Sequence, residues 1–217
     1  MREAEGPRVR VKEELVVAAW NVQGMSLGQR GRVKARMVAT RAKWHGWDVV
    51  LLSEVRADDE GVVWMGEEEE RVVFVHGRKA AVLLRGDAMK KWVEGGMIWK
   101  VSEQHVSVKL MGVVLTASYI QPWVQGREEE IEEQFEVMGE HLKWVRKGEM
   151  PVFGGDFNGH VGRGVERRGV AGGFGLRGST QQGEMLLEWC EERGLAHVSS
   201  FYQQRERGTW FSNLHRK

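Results

Sequence analysis

The sequence predicts an α/β fold, and three observations predict it. Residues 15–52 and residues 113–154 each read as apolar strand, amphipathic helix, apolar strand. Short Val-rich runs separated by Gly and charge clusters fill the stretch between them. That order places parallel strand–helix–strand units at both ends and antiparallel strands in the middle.

In the first unit, residues 15–20 (LVVAAW) form a continuous apolar run, expected as a buried strand ending at Asn21. A glycine-containing turn follows. Over residues 29–45, Val33, Met37 and Trp44 recur at helical spacing between Arg and Lys side chains, which predicts a helix packed by that stripe and stopped at Gly46. Residues 48–52 (DVVLL) are the second buried strand, with Ser53 and Glu54 directly after it.

Strands are expected at residues 62–65, 71–76, 80–85, 105–109 and 113–119, with the acidic residues 67–70 in an exposed turn. A helix over residues 127–147 carries Ile131, Phe135, Met138, Leu142 and Val145 as a core stripe. Residues 151–154 (PVFG) close the second unit as a buried strand, again followed by polar residues, Asp156 and Asn158. After the loop 172–178 (GGFGLRG), residues 179–182 (STQQ) offer a capping box for a helix bearing Leu186, Leu187 and Cys190, ended by Gly194. Residues 195–200 and 208–212 read as two last strands.

The chain of 217 residues suits one domain, residues 15–217, behind a charged lead-in, residues 1–14. The 41% apolar and 29% charged content is that of a folded chain. A single cysteine, Cys190, excludes an intramolecular disulfide framework and a Cys-rich zinc site. Any metal must then bind oxygen or nitrogen. No apolar run approaches the ~18 residues of a membrane span, and residues 1–14 hold no apolar signal region, so the expected location is intracellular, nuclear or cytoplasmic, with no membrane partner. Lys and Arg total 32 against 31 Asp and Glu, so charge neither supports nor excludes a nucleic acid partner.

Both units deliver polar residues just past strand ends on one edge of the fold: Asn21 and Glu54 from the first, Tyr119, Asp156 and Asn158 from the second. Glu54 and Asp156 are hard oxygen ligands of the kind Mg²⁺ takes, one or two carboxylates at a time with phosphate and water completing the shell. Each residue also has a plainer reading: Asn21 in a turn, Asp156 and Asn158 in an Asx-turn, Tyr119 as a core aromatic.

The segments AWNVQG (19–24), LLSEV (51–55), ASYIQPW (117–123), GGDFNGHVG (154–162) and GTW (208–210) resemble, in order and spacing, the motifs of the endonuclease/exonuclease/phosphatase family. The resemblance spans roughly residues 15–212, and the arrangement is similar to the apurinic-endonuclease-like domain of non-LTR retrotransposons and to craniofacial-development-protein-2-like proteins. It implies a four-layered α/β sandwich, two mixed sheets packed together with helices outside. It also implies a Mg²⁺-dependent phosphodiester hydrolase, Mn²⁺ being the alternative cofactor, that acts as an endonuclease on DNA.

Position by position, Asn21 and Glu54 resemble the family's metal-site residues, and Tyr119 the tyrosine that holds the scissile phosphate. Asp156 resembles the aspartate that orients the attacking water, and Asn158 the asparagine beside the phosphate. Thr209 and Trp210 fall where the family has substrate-side residues, and Trp123 is a further substrate-side candidate. Trp44, Trp144 and Trp189 are expected in packing.

The chain departs from the pattern at its end. Family members continue to an aspartate on a strand and a Ser-Asp-His element, whereas here Leu214 precedes His215 and the last residue is Lys217. The expectation is therefore a sandwich incomplete at the C-terminus, with weak or no hydrolysis. A non-catalytic binding module and a phosphoesterase of small molecules such as inositol phosphates or lipids stand as the alternatives.

Overall fold

The computed structural model describes residues 14–28, 32–67, 70–164 and 166–203. Two mixed β-sheets lie face to face with helices outside, the α/β architecture that the two strand–helix–strand units predict. The first sheet contains β1 (Val17–Ser26), β2 (Val49–Arg56), β3 (Gly61–Met65), β4 (Val72–His76) and β5 (Ala80–Arg85), in the order β1-β2-β5-β4-β3. The second contains β6 (Trp99–Val101), β7 (His105–Leu110), β8 (Val113–Tyr119) and β9 (Met150–Asp156), in that order. The helices are α1 (Arg32–Trp44), α2 (Gly86–Glu94), α3 (Glu128–Leu142) and α4 (Gln181–Glu192).

The handedness of strand crossovers decides the two parallel pairs. β1 runs parallel to β2 through α1, and β8 parallel to β9 through α3, while the remaining pairs are antiparallel. Alternation along each strand then sorts its side chains. Val49 and Leu51 of β2 face the second sheet, where they meet Val106, Val108, Leu115 and Ala117. Val50 and Leu52 face α1, with Phe74 and Leu83. A third cluster, built from Ile131, Phe135, Met138, Leu186, Leu187 and Trp189, seats α3 and α4 on the far face of the second sheet.

Several expectations are corrected. β1 does not end at Asn21: it continues to Ser26 through a bulge in which Gln23 and Gly24 take positive φ. β1 and β9 are edge strands and only partly buried, because each pairs on one side alone. In α1 the buried residues are Ala35, Val38 and Ala42, whereas Val33, Met37 and Trp44 point outward at 71%, 62% and 78% exposure. Both stripes have helical spacing, and the one with small side chains lets the helix approach the sheet closely.

α2 and β6 were not expected, although Ala88 and Trp92, the buried residues of α2, are one turn apart. The last helix is capped by Thr180, whose side chain accepts from the Gly183 N–H, one position later than a cap at Ser179 would be. Residues 195–200 form no strand; a 3₁₀ turn spans Val198–Phe201. The strand expected at 208–212 lies outside the described residues. Trp189 is buried as expected, while Trp144 lies beyond the end of α3 under the Lys109 ammonium. No helix among the described residues is long and apolar enough to cross a membrane.

Candidate active site

The site forms where the edge strands β1 and β9 face each other across the gap between the sheets. Gly154 lets them approach, and Gly155 fits β9 against its own neighbour β8. A Cβ on Gly154 would come within 2.7 Å of Leu51 Cδ1 and 3.4 Å of Ala19 Cβ. One on Gly155 would come within 1.9 Å of the Ser118 carbonyl oxygen. With no side chain at 154 to hold the strands apart, Asp156, two residues on along the same face, arrives beside Asn21, which is two residues on from Ala19.

The Asn21 side-chain Nδ2 donates to Glu54 Oε1 at 2.7 Å and to Asp156 Oδ2 at 2.6 Å. Carboxylates from different sheets therefore share one amide nitrogen. The Asn21 Oδ1 accepts from the Gln23 N–H at 2.9 Å, so the bulge in β1 is what turns the NH₂ end toward the carboxylates. Neither Glu54 nor Asp156 has an ion-pair partner among the described residues, and two like charges this close favour a cation between them.

Tyr119 is paired with Asp156 in the parallel register of β8 and β9. Burial, and then the negative charges of Glu54 and Asp156, push its phenol above the ordinary tyrosine range. It stays protonated and remains an O–H donor. Asn158 makes the Asx-turn, its N–H donating to Asp156 Oδ1 at 2.9 Å, and its Nδ2 donates to the Ile120 carbonyl at 2.8 Å. The turn and membership of the site are thus one arrangement.

Backbone strain gathers here. Of the five non-glycine residues with positive φ among the described residues, three are Gln23, Glu54 and Asn158. For Glu54, inside a strand with φ 57, such a conformation costs roughly 1–3 kcal/mol and persists only where surrounding contacts enforce it.

A cation rim absent from the sequence reading adjoins the bulge. Lys34 Nζ donates to the Gln23 carbonyl at 3.0 Å, and the Arg56 guanidinium lies against Gly24, where a Cβ would meet its Nε at 3.0 Å. The position of Arg56, two residues beyond Glu54 on the same strand face, is the signal that could have found it. A cavity of about 650 Å³, lined by Phe153, Asp156, Phe157, His160, Trp189 and His197 among others, opens on the α4 side of Asp156, and Glu54, Asn21 and Tyr119 do not line it. Trp123 is instead packed, partly buried, against the cluster under α3 and α4. Thr209 and Trp210 lie outside the described residues.

Among the described residues no group of three or more His, Cys, Asp or Glu side chains gathers as a metal cluster. The site offers two carboxylates and the Asn21 amide. Mg²⁺ fits such a set, because it commonly takes one or two carboxylates and leaves the remaining positions to water and phosphate. Asn21 could add its oxygen only by turning its amide over, which would break the bond from Gln23.

No protein-family profile matches the chain, and no curated protein matches it. Among solved structures it is similar to the endonuclease domain of TRAS1, a telomere-specific non-LTR retrotransposon, with TM-score 0.41 and 15% identity over 81% of this chain and 70% of that one. It is also similar to a humanized D. rerio TDP2 carrying 14 mutations, with TM-score 0.39 and 17% identity over 66% of this chain and 62% of that one.

Proposed function

We propose that this chain is a phosphodiester hydrolase of the endonuclease/exonuclease/phosphatase type, acting on DNA, with Mg²⁺ or Mn²⁺ as its cofactor. The observation that carries the proposal is the meeting of Glu54 and Asp156, contributed by opposite sheets, on one amide nitrogen with no cationic partner among the described residues. Their oxygens would hold the metal. Bound there, Mg²⁺ supplies charge neutralisation and Lewis-acid polarisation of a phosphate.

The chain's own groups suit the remaining tasks. Asp156, whose oxygens keep lone pairs beyond those used by Asn21 and the Asn158 N–H, orients a water for in-line attack. Tyr119, kept protonated by burial and then by its carboxylate neighbours, donates to a phosphate oxygen. Asn158 is held in a fixed left-handed conformation by its bonds to Asp156 and Ile120, so its amide can meet developing charge without adding any.

A second reading, a binding module without turnover, is favoured by Asn21, whose NH₂ fills the position between the carboxylates that a cation would take. Nicking of supercoiled plasmid with Mg²⁺, against an EDTA control, separates the two. Metal-dependent nicking that drops by about 100-fold or more in both Glu54→Gln and Asp156→Asn supports hydrolysis at this site. Nicking that survives both substitutions would refute it, and binding without nicking would favour the module.

A further inference from the structure

We propose that two buried glutamines, Gln182 of α4 and Gln134 of α3, are positioning residues of the site: they clamp the backbone of Gln121 and so set the strand end carrying Tyr119 against the loop carrying Asp156 and Asn158. Gln121 lies two residues past Tyr119. Its N–H donates to Gln134 Oε1 at 2.8 Å, and its carbonyl accepts from Gln182 Nε2 at 2.9 Å. The same Gln182 nitrogen donates to the Phe157 carbonyl at 2.6 Å, between Asp156 and Asn158 in the chain. One side chain thereby ties together residues that lie 61 and 25 positions away from it.

The chemistry restricts what can stand at these positions. Two carbonyl oxygens converge on Gln182, and only a group with two N–H donors and no charge answers both, so the amide orientation follows from its partners. Gln182 is fully buried and its Oε1 has no partner among the described residues. A buried acceptor left without a partner is unfavourable, and the two donated bonds offset it. Gln134 is also buried and fixes its own orientation by donating from Nε2 to the Glu130 carbonyl at 3.0 Å. The loop is further held to α4 where the His160 N–H donates to Thr180 Oγ1 and the Thr180 N–H to the His160 carbonyl.

Tyr119 and Tyr202 are the only tyrosines of the chain, so Tyr202→Phe leaves one phenol that reports on the site. In that background the NMR ring resonances of Tyr119, the one phenol labelled by ring-¹³C tyrosine, are compared among the parent, Gln182→Leu, Gln134→Leu and Leu187→Ala. The last empties a fully buried position of α4 in the core and matches a loss of stability without touching Gln121. Both glutamine variants are expected to shift and broaden the Tyr119 ring signals, as the strand end carrying the phenol loses its fixed place against the loop of Asp156 and Asn158, while Leu187→Ala leaves them in place. Unchanged ring signals in the glutamine variants, or an equal shift in Leu187→Ala, would overturn the proposal. Should Gln182→Leu fail to fold, Gln134→Leu decides by itself.

The kinetic readout rests on the hydrolase reading. If the parent cleaves phosphodiesters, the glutamine variants should lose between about tenfold and 100-fold in kcat with KM nearly unchanged. A parent without activity would count against the hydrolase and leave the Tyr119 ring signals able to judge the clamp.

Discussion

The helices α1 and α3 cover opposite faces of the sandwich, and they are seated on opposite chemistry. α1 meets its sheet through Ala35, Val38 and Ala42 against an apolar surface that includes Val50, Leu52, Phe74 and Leu83. α3 has an apolar edge, Ile131, Phe135 and Met138, but beside it runs a buried polar seam. His105, Ser107 and Thr116 of the second sheet face His141 and Gln134 of the helix, all of them buried. Ser107 Oγ lies 2.7 Å from both Thr116 Oγ1 and His141 Nδ1, His141 Nε2 is 3.1 Å from Ser102 Oγ, and His105 Nε2 is 3.2 Å from the Gln134 carbonyl.

The contrast shows two ways of seating a helix on a sheet. Small apolar residues permit close approach and ask for no partners. A polar seam must satisfy its donors and acceptors, and it ties the helix to particular neighbours. Because Gln134 belongs to that seam and also grips Gln121, the α3 interface reaches the candidate site, whereas α1 reaches it through the Lys34 contact to the β1 bulge.

The largest expected effect tests the apolar edge of α3. Phe135→Ala should cost about 3–5 kcal/mol in urea unfolding, and a cost below about 1 kcal/mol would mean that the seam, not the apolar edge, holds the helix. The next effect is confined to the seam. Burial holds the His105 imidazole down to about 4. Burial, then the neighbouring His105 and Lys100, holds His141 down to about 3. Both folded-state values lie below the ordinary 6.5, so the unfolded chain binds more protons in between.

Stability should be fully present above about pH 6.5 and fall as pH drops toward 4, by up to about 1.4 kcal/mol per pH unit for each histidine. Chemical unfolding at a series of pH values should show a shallower slope in His141→Leu. An unchanged slope would remove this histidine from the account. The smallest effect tests the outward stripe of α1: Met37→Ala and Trp44→Ala should each change the unfolding free energy by less than about 0.5 kcal/mol. A loss of several kcal/mol would place those side chains in a core after all.

Much of this was legible in the chain before folding. The parallel pairing of β1 with β2 and of β8 with β9 follows from strand–helix–strand order, and α3 starts as expected with Ile131, Phe135 and Met138 buried, but it stops at Leu142, short of the expected residue 147, and leaves Val145 outside the helix. The candidate residues could be named because they follow apolar runs, where α/β folds gather polar groups. The face of α1 was not legible, since its two apolar stripes are equally periodic and only the depth of the sheet groove prefers the smaller one. α2 was missed for a different reason: Ala88, Met89 and Trp92 do share one face, but the helix is only nine residues long.

What the sequence by itself determined is the local pattern, the order of the strands and helices, and the polar residues placed at their ends. Whether Asn21 presents its nitrogen or its oxygen, which carboxylates it joins, and which glutamines hold the loops were decided by tertiary structure. The reason is distance along the chain: Asn21 and Asp156 are separated by 135 positions, yet their side chains stand 2.6 Å apart. Periodicity carries information over a few residues, while a contact of that kind exists only once two sheets have packed.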